Sequence, residues 1–320
     1  MDSNVSKETF LHKFFLVPLN QEKKPISIEE LLKARLLSIF DLYQQEQNIT
    51  SPYQFIENRF PGKIALLEPV IDSRSLNKHK DSTLFPSQSK IIVYTSSILL
   101  VIAACLKKRP QIVAEEWSDL WNFRLKNINA TSHLKLDISM QKSGWLYFYL
   151  QSKSVATCLE RSLNLFSLKT ATSLNSAQNE LYTSVAPNFF PIQYTHARCC
   201  SLLRLGARAK IISNHDAIAG VTWLDRDNRP YCNQEAEIYL LRQLFLITDS
   251  FAKEELNWHK LGMDFSQTIM VFLAECRFLG AVSQETPEVA IARLGLIAIC
   301  QYWLQRILTE KLNLPAPTDL

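Results

Sequence analysis

Residues 191–210 read PIQYTHARCCSLLRLGARAK, and the rest of the chain is organised around this stretch. Pro191 suits the first turn of a helix, where a missing N–H removes no intrahelical bond. Ile192, Cys199, Leu202 and Leu203 recur at helical spacing and predict one apolar face. Tyr194 and Arg198 stand four apart and share another face. The stretch therefore predicts an amphipathic helix that buries one side and presents an aromatic ring and a guanidinium on the other. It holds four basic residues, Arg198, Arg204, Arg208 and Lys210, and no carboxylate. An anionic ligand matches such a surface.

The composition sets the frame. A chain of 320 residues has room for about two domains of ~100–200 residues each. Hydrophobic content of 47% and charged content of 21% are those of a globular protein. The net charge of +4 comes from the first half, with 20 Lys and Arg against 16 Asp and Glu through residue 160, and 15 against 15 after it. A nucleic-acid surface must then be a local patch. The seven cysteines are scattered with no C-x-x-C pair. That spacing argues against a zinc site and a disulfide framework, and predicts buried reduced thiols with no metal or cofactor. The apolar run 98–106 falls short of the ~20 residues a membrane-spanning helix needs. Glu8, His12 and Lys13 interrupt any secretory signal. The expected location is the cytoplasm, with no membrane partner.

Three helical patterns follow the opening stretch, at 234–251, 258–279 and 287–312, the last marked by Leu296, Cys300, Trp303, Ile307 and Leu308. Between them and the opening helix, VTWLDRDNRPYCN (221–233) is rich in turn residues. Asp225 and Asp227 raise a calcium loop, but the glycine and distal glutamate of an EF-hand are missing, so an exposed turn is expected. Upstream, Ser27 with Glu30 three residues on is a capping box opening a helix through Leu31, Leu32, Leu36, Leu37, Phe40 and Tyr43. KIALLEPVID (63–72) predicts a strand. The polar stretch 72–90, with Arg74, Lys78, His79 and Lys80, is either a solvated loop or one that contacts phosphate. Residues 91–108 predict an apolar helix whose end carries Lys107, Lys108 and Arg109, as the helix dipole favours. Pro110 begins a second helix over 111–125 with Val113, Trp117, Leu120, Trp121 and Leu125 on one face. The runs 133–140 and 144–150, the second rich in aromatics and opened by Gly144, predict strands, 152–167 a helix, and the Thr-, Ser- and Asn-rich 169–187 a linker. The expected fold is an α+β N-terminal domain over 1–167, a linker over 168–187, and an all-α helical bundle over 188–320.

Two blocks of this sequence resemble arginyl-tRNA synthetases, in the family's order. Tyr194, Thr195, His196, Ala197, Arg198, Ser201, Leu202, Leu203 and Arg204 are similar to the first helix of that family's anticodon-binding (DALR) domain. Glu237 with Leu240, Leu241 and Leu244, then Arg277-Phe278-Leu279, Ala292-Arg293-Leu294 and a Leu-Pro-Ala-Pro tail match the later helices of that domain. Tyr94, Lys108 to Pro110, Ile112 to Glu116 and Gly144 to Leu150 resemble its N-terminal additional domain, although Ile92-Val93 replace the family's Gly-Asp. The family's whole catalytic domain would sit at 169–187. Neither of its ATP-handling signatures, HIGH and KMSKS, occurs in the chain, and with seven glycines in all no phosphate-cradling loop can be placed. His133, His215 and His259 each stand alone, and Cys199 and Cys200 read as packing residues, so the chain is expected not to be an enzyme.

The resemblance implies a non-catalytic adaptor that binds tRNA or another structured RNA and delivers arginine tRNA to a modifying enzyme or competes with the synthetase. It assigns anticodon-loop contacts to Tyr194 and Arg198. Arg204, Arg208 and Lys210 would position phosphates, with Lys107, Lys108 and Arg109 as a second RNA-binding group, and His196 would make a structural hydrogen bond. No small-molecule substrate is expected. The blander reading of Tyr194 and Arg198 is packing at a helix–helix interface. A second functional reading is a protein-interaction subunit that kept the fold and lost RNA binding, using the aromatics Trp117, Trp121, Trp145, Tyr147 and Tyr149 to cover a partner.

Overall fold

The structure, a computed structural model, describes residues 27–33, 36, 43, 68–69, 92–118, 134–141, 144–173, 187–215, 218, 220–253 and 255–320. Two compact units divide the chain between Ser154 and Val155.

The first unit is built on the strand Leu146–Leu150 (β4), where Leu146, Phe148 and Leu150 alternate with two tyrosines. This strand pairs antiparallel with Val93–Ser96 (β2) on one side and Leu136–Met140 (β3) on the other. Glu68–Pro69 (β1) adds to β2, giving the order β1-β2-β4-β3. Tyr94 and Ile138 both face Phe148, so the centre of the sheet is a stack of aromatic and β-branched side chains. The β3–β4 turn needs its glycine. Gly144 has a φ of +88°, and a Cβ there would stand 2.7 Å from Leu100 Cδ2.

Helix Ile98–Leu106 (α2) follows β2 and ends with Lys107 in the left-handed conformation; helix α3 covers 110–118. An earlier helix, α1, is described over 28–33, 36 and 43. Its expected cap is present, Ser27 Oγ accepting from Glu30 N at 3.2 Å. Trp117 of α3 is fully buried and meets the Tyr43 ring at a centroid distance of 6.1 Å.

Two expectations are corrected here. Val93–Ser96 is a strand and not the first turn of an apolar helix, because a short apolar run suits either period and the aromatic partner β4 decides. Helix Ser152–Ser173 (α4) runs beyond residue 167, and from Val155 it belongs to the second unit. There, Trp223 Nε1 donates to Glu160 Oε2 at 3.2 Å. Cys158, Leu159 and Ser162 share a cavity of about 20 Å³ with Leu244, Phe245, Thr248, Ile299 and Trp303. The polar stretch 72–90, Trp121, and the greater part of the expected strand 63–72 and of the expected linker lie outside the described residues.

The second unit is helical: Phe190–Arg208 (α5), Glu235–Ser250 (α6), Trp258–Glu275 (α7), Ala281–Glu285 (α8) and Pro287–Arg306 (α9). Every residue from Ala292 to Leu304 is buried, so α9 is the central rod. Helix α5 lies against it closely enough that a Cβ on Gly206 would meet Leu294 at 2.9 Å. Helix α6 opens with a capping box in which Gln234 N donates to Glu237 Oε2 at 2.8 Å. Helix α7 is capped by Asn257 Oδ1, which accepts from Lys260 N at 3.0 Å. The connection before α6 is the expected turn: Asp225 Oδ1 accepts from the backbone N–H groups of Asp227 and Arg229 at 2.8 and 2.7 Å.

Candidate nucleic-acid interface

Helix α5 sorts its residues onto three strips. Ile192, Thr195, Cys199, Leu202, Leu203 and Gly206 are buried. Phe190, Tyr194, Leu205, Arg198 and Arg208 are exposed. Their spacing of four, four, seven and three places them on one face. Phe190 and Tyr194 are 45% and 40% exposed, and their rings sit 5.7 Å apart at 31°. Two large aromatics are thus held open to solvent on the face that carries Arg198. Tyr194 and Arg198 therefore do not pack between helices.

The third strip holds the chain's C-terminal segment. Gln193 Nε2 donates to Pro315 O at 3.1 Å, and His196 Nδ1 lies 2.8 Å from Pro317 O. Arg204 Nη2 reaches Thr318 O at 3.1 Å and the Asp319 carboxylate. A carbonyl can only accept, so His196 Nδ1 carries the proton. Its Nε2 then accepts from Gln301 Nε2 at 2.8 Å. The fully buried His196 thus makes the structural hydrogen bonds expected of it. Arg204 also donates to Ser201 Oγ at 3.3 Å, so its guanidinium, unlike that of Arg198, has partners within the chain.

The remaining candidates divide in the same way. Arg208 and Lys210 are exposed at the end of α5, and Lys210 adopts a left-handed φ of 58°. In the first unit, Lys107 and Arg109 are exposed, but Lys108 Nζ contacts both Glu116 oxygens at 2.8 and 3.0 Å. Glu116 also accepts from Tyr43 Oη. Partial burial raises the Glu116 pKa, and the bonds from Lys108 and Tyr43 outweigh it, holding the carboxyl below its usual value. Burial, reinforced by that carboxylate, pushes the Tyr43 phenol well up. Lys108 is thus partly exposed and paired with a carboxylate.

Interior charge in the second unit is handled separately. Arg293 Nε donates to Glu237 Oε1 at 2.6 Å, and Arg293 also donates to Arg277 O. The side chains are 5% and 0% exposed. Arg306 lies over the Phe251 ring at 4.5 Å and bonds Glu310 at 2.8 and 2.7 Å. Six of the seven thiols are buried and Cys105 is half-buried; burial pushes Cys200 up to about 11 and raises Cys199 and Cys300 well above the ordinary thiol value. Trp117 and Tyr147 are core residues, which removes two of the five aromatics on which partner coverage would rest.

Sequence reasoning missed Phe190 and the docked tail. Phe190 carried a signal, since it lies four residues before Tyr194. Beside it, the Phe189 ring meets His259 at 4.7 Å, and His259 Nε2 bonds Asn188 O at 3.1 Å. That places the exposed His259 and Lys260 of α7 next to the start of α5.

An arginine–tRNA ligase from Synechococcus sp. (strain JA-3-3Ab) is similar to this chain, 32% identical over 137 residues. The match covers 40% of this chain and 22% of that ligase, so the chain spans about a fifth of the ligase's length. No family model and no solved structure matches. The chain thus contains a region related to an arginyl-tRNA ligase. Among the described residues no helix is long and apolar enough to cross a membrane.

Proposed function

We propose that the chain binds tRNA through the outer strip of α5 and does not itself aminoacylate. The observation that carries this reading is the exposed strip itself: Phe190, Tyr194, Arg198 and Arg208 on one face of a helix with no carboxylate. Single-stranded loop bases bind by stacking on aromatic rings and guanidinium planes, with cations on the phosphates between them. The similarity to an arginine–tRNA ligase makes tRNA the RNA of choice, and the anticodon loop the part of it that offers unstacked bases. Absence of both ATP-handling signatures from the sequence supports an adaptor that presents tRNA to another enzyme.

Bulk tRNA should retard the protein in a gel at low salt, with log affinity falling linearly against log salt. Lack of any shift at low salt ends this reading. The protein should give no arginine-dependent exchange of pyrophosphate into ATP; such exchange would show that it activates the amino acid.

A further inference from the structure

Arg204 stands at a border on α5. It is four residues before Arg208 and three after Ser201, adjacent to the exposed strip, while its guanidinium is turned to the Asp319 carboxylate and Thr318 O. The tail that supplies these partners is held unevenly. Its upstream part is anchored on Gln193 and His196, both fully buried, through Pro315 O and Pro317 O. Its end is open: the Asp319 side chain is 76% exposed and that of Arg204 28%. An exposed ion pair is weak and screened by salt, and a carboxylate on an arginine occupies the place a phosphate would take.

We propose that Thr318 and Asp319 form a displaceable cover, in which the Asp319 carboxylate competes with RNA phosphate for Arg204. This rests on the reading of α5 as an RNA surface. Phosphate beside Arg208 gains the Arg204 guanidinium only where Thr318 and Asp319 have moved off it. No bond is made or broken covalently. Wild-type protein therefore binds RNA with one phosphate contact fewer than its sequence supplies, until the cover lifts.

The test measures the affinity of the full chain for bulk tRNA over a series of salt concentrations. Asp319→Asn should tighten binding at low salt by up to about fivefold, the strength of an exposed pair. It should also steepen the slope of log affinity against log salt by about 0.7 to 0.9, one further phosphate contact. In an Arg204→Ala background the same substitution should do nothing. Asp227→Asn removes an equally exposed charge from a turn, its side chain being 69% exposed, and should give a smaller gain. The proposal is overturned if Asp319→Asn leaves affinity and slope unchanged, if Asp227→Asn matches it, or if the gain survives loss of Arg204. Should wild type bind tRNA in an Arg198-dependent way while Asp319→Asn is silent, the cover alone is wrong. Should wild type and variants all fail to bind, the RNA reading falls and the cover with it.

Discussion

Arg293 and Arg198 belong to one helical unit and have opposite surroundings. Arg293 is buried against Glu237 and a backbone carbonyl, joining α9 to α6 and to the residues after α7. Arg198 points outward from α5 beside Tyr194. A charge taken out of water needs a partner at once, because its desolvation is costly until matched. A charge left in water costs nothing to keep and remains available to a ligand. Arg204 and Lys108 fall between these extremes, each on a carboxylate at partial exposure.

This contrast can be broken experimentally. The largest effect expected is on Arg293→Ala, which strands Glu237 in the core and should destabilise the second unit by about 3–5 kcal/mol, read as a fall in the denaturation midpoint. The fraction that stays folded should bind tRNA normally; a loss of affinity at unchanged stability would reverse the roles assigned to the two arginines. Next comes Arg198→Ala, expected to weaken tRNA binding by about 1–3 kcal/mol without moving the melting temperature. If it melts early instead, Arg198 is a packing residue. Lys108→Ala should lower stability by no more than about 1 kcal/mol, as befits a partly exposed pair, and leave the salt slope of tRNA binding as it was. A slope reduced by one contact would return Lys108 to the RNA surface.

The smallest effect is on pH dependence. Glu116 has a carboxyl pKa held below its unfolded value by Lys108 and Tyr43. Its contribution is therefore complete above the ordinary carboxylate pKa and is lost as pH falls through the depressed folded value. Acid titration of stability should show this component in wild type and a diminished one in Lys108→Ala. Identical acid profiles would remove Glu116 from the network.

Much of this was legible because it is local. Ser27 and Glu30 are three apart, Tyr194 and Arg198 four apart, and the aromatic run 146–150 needs only period-two alternation, so short-range geometry placed them. The strand at 93–96 failed the same approach because its pairing partner lies some fifty residues on, and an apolar run of that length suits both periods. Phe190 was overlooked at a helix edge, where Pro191 drew the boundary one residue late. Arg204, Arg208 and Lys210 share one expected role, on phosphates, and no spacing rule could show that Arg204 meets a carboxylate 115 residues away.

The sequence by itself determined which helix carries a ring and a guanidinium on one face, and that no carboxylate on that helix neutralises them. Periodicity and composition are properties of the chain, so they survive without knowledge of the fold. Only the tertiary structure decided which cations remain open to a ligand. It turned Arg293 inward, gave Lys108 to Glu116, laid the C-terminal segment over Arg204, and left Arg198 beside the paired rings of Phe190 and Tyr194. Those outcomes depend on which distant groups meet, and burial makes an unmatched charge too costly to leave to chance.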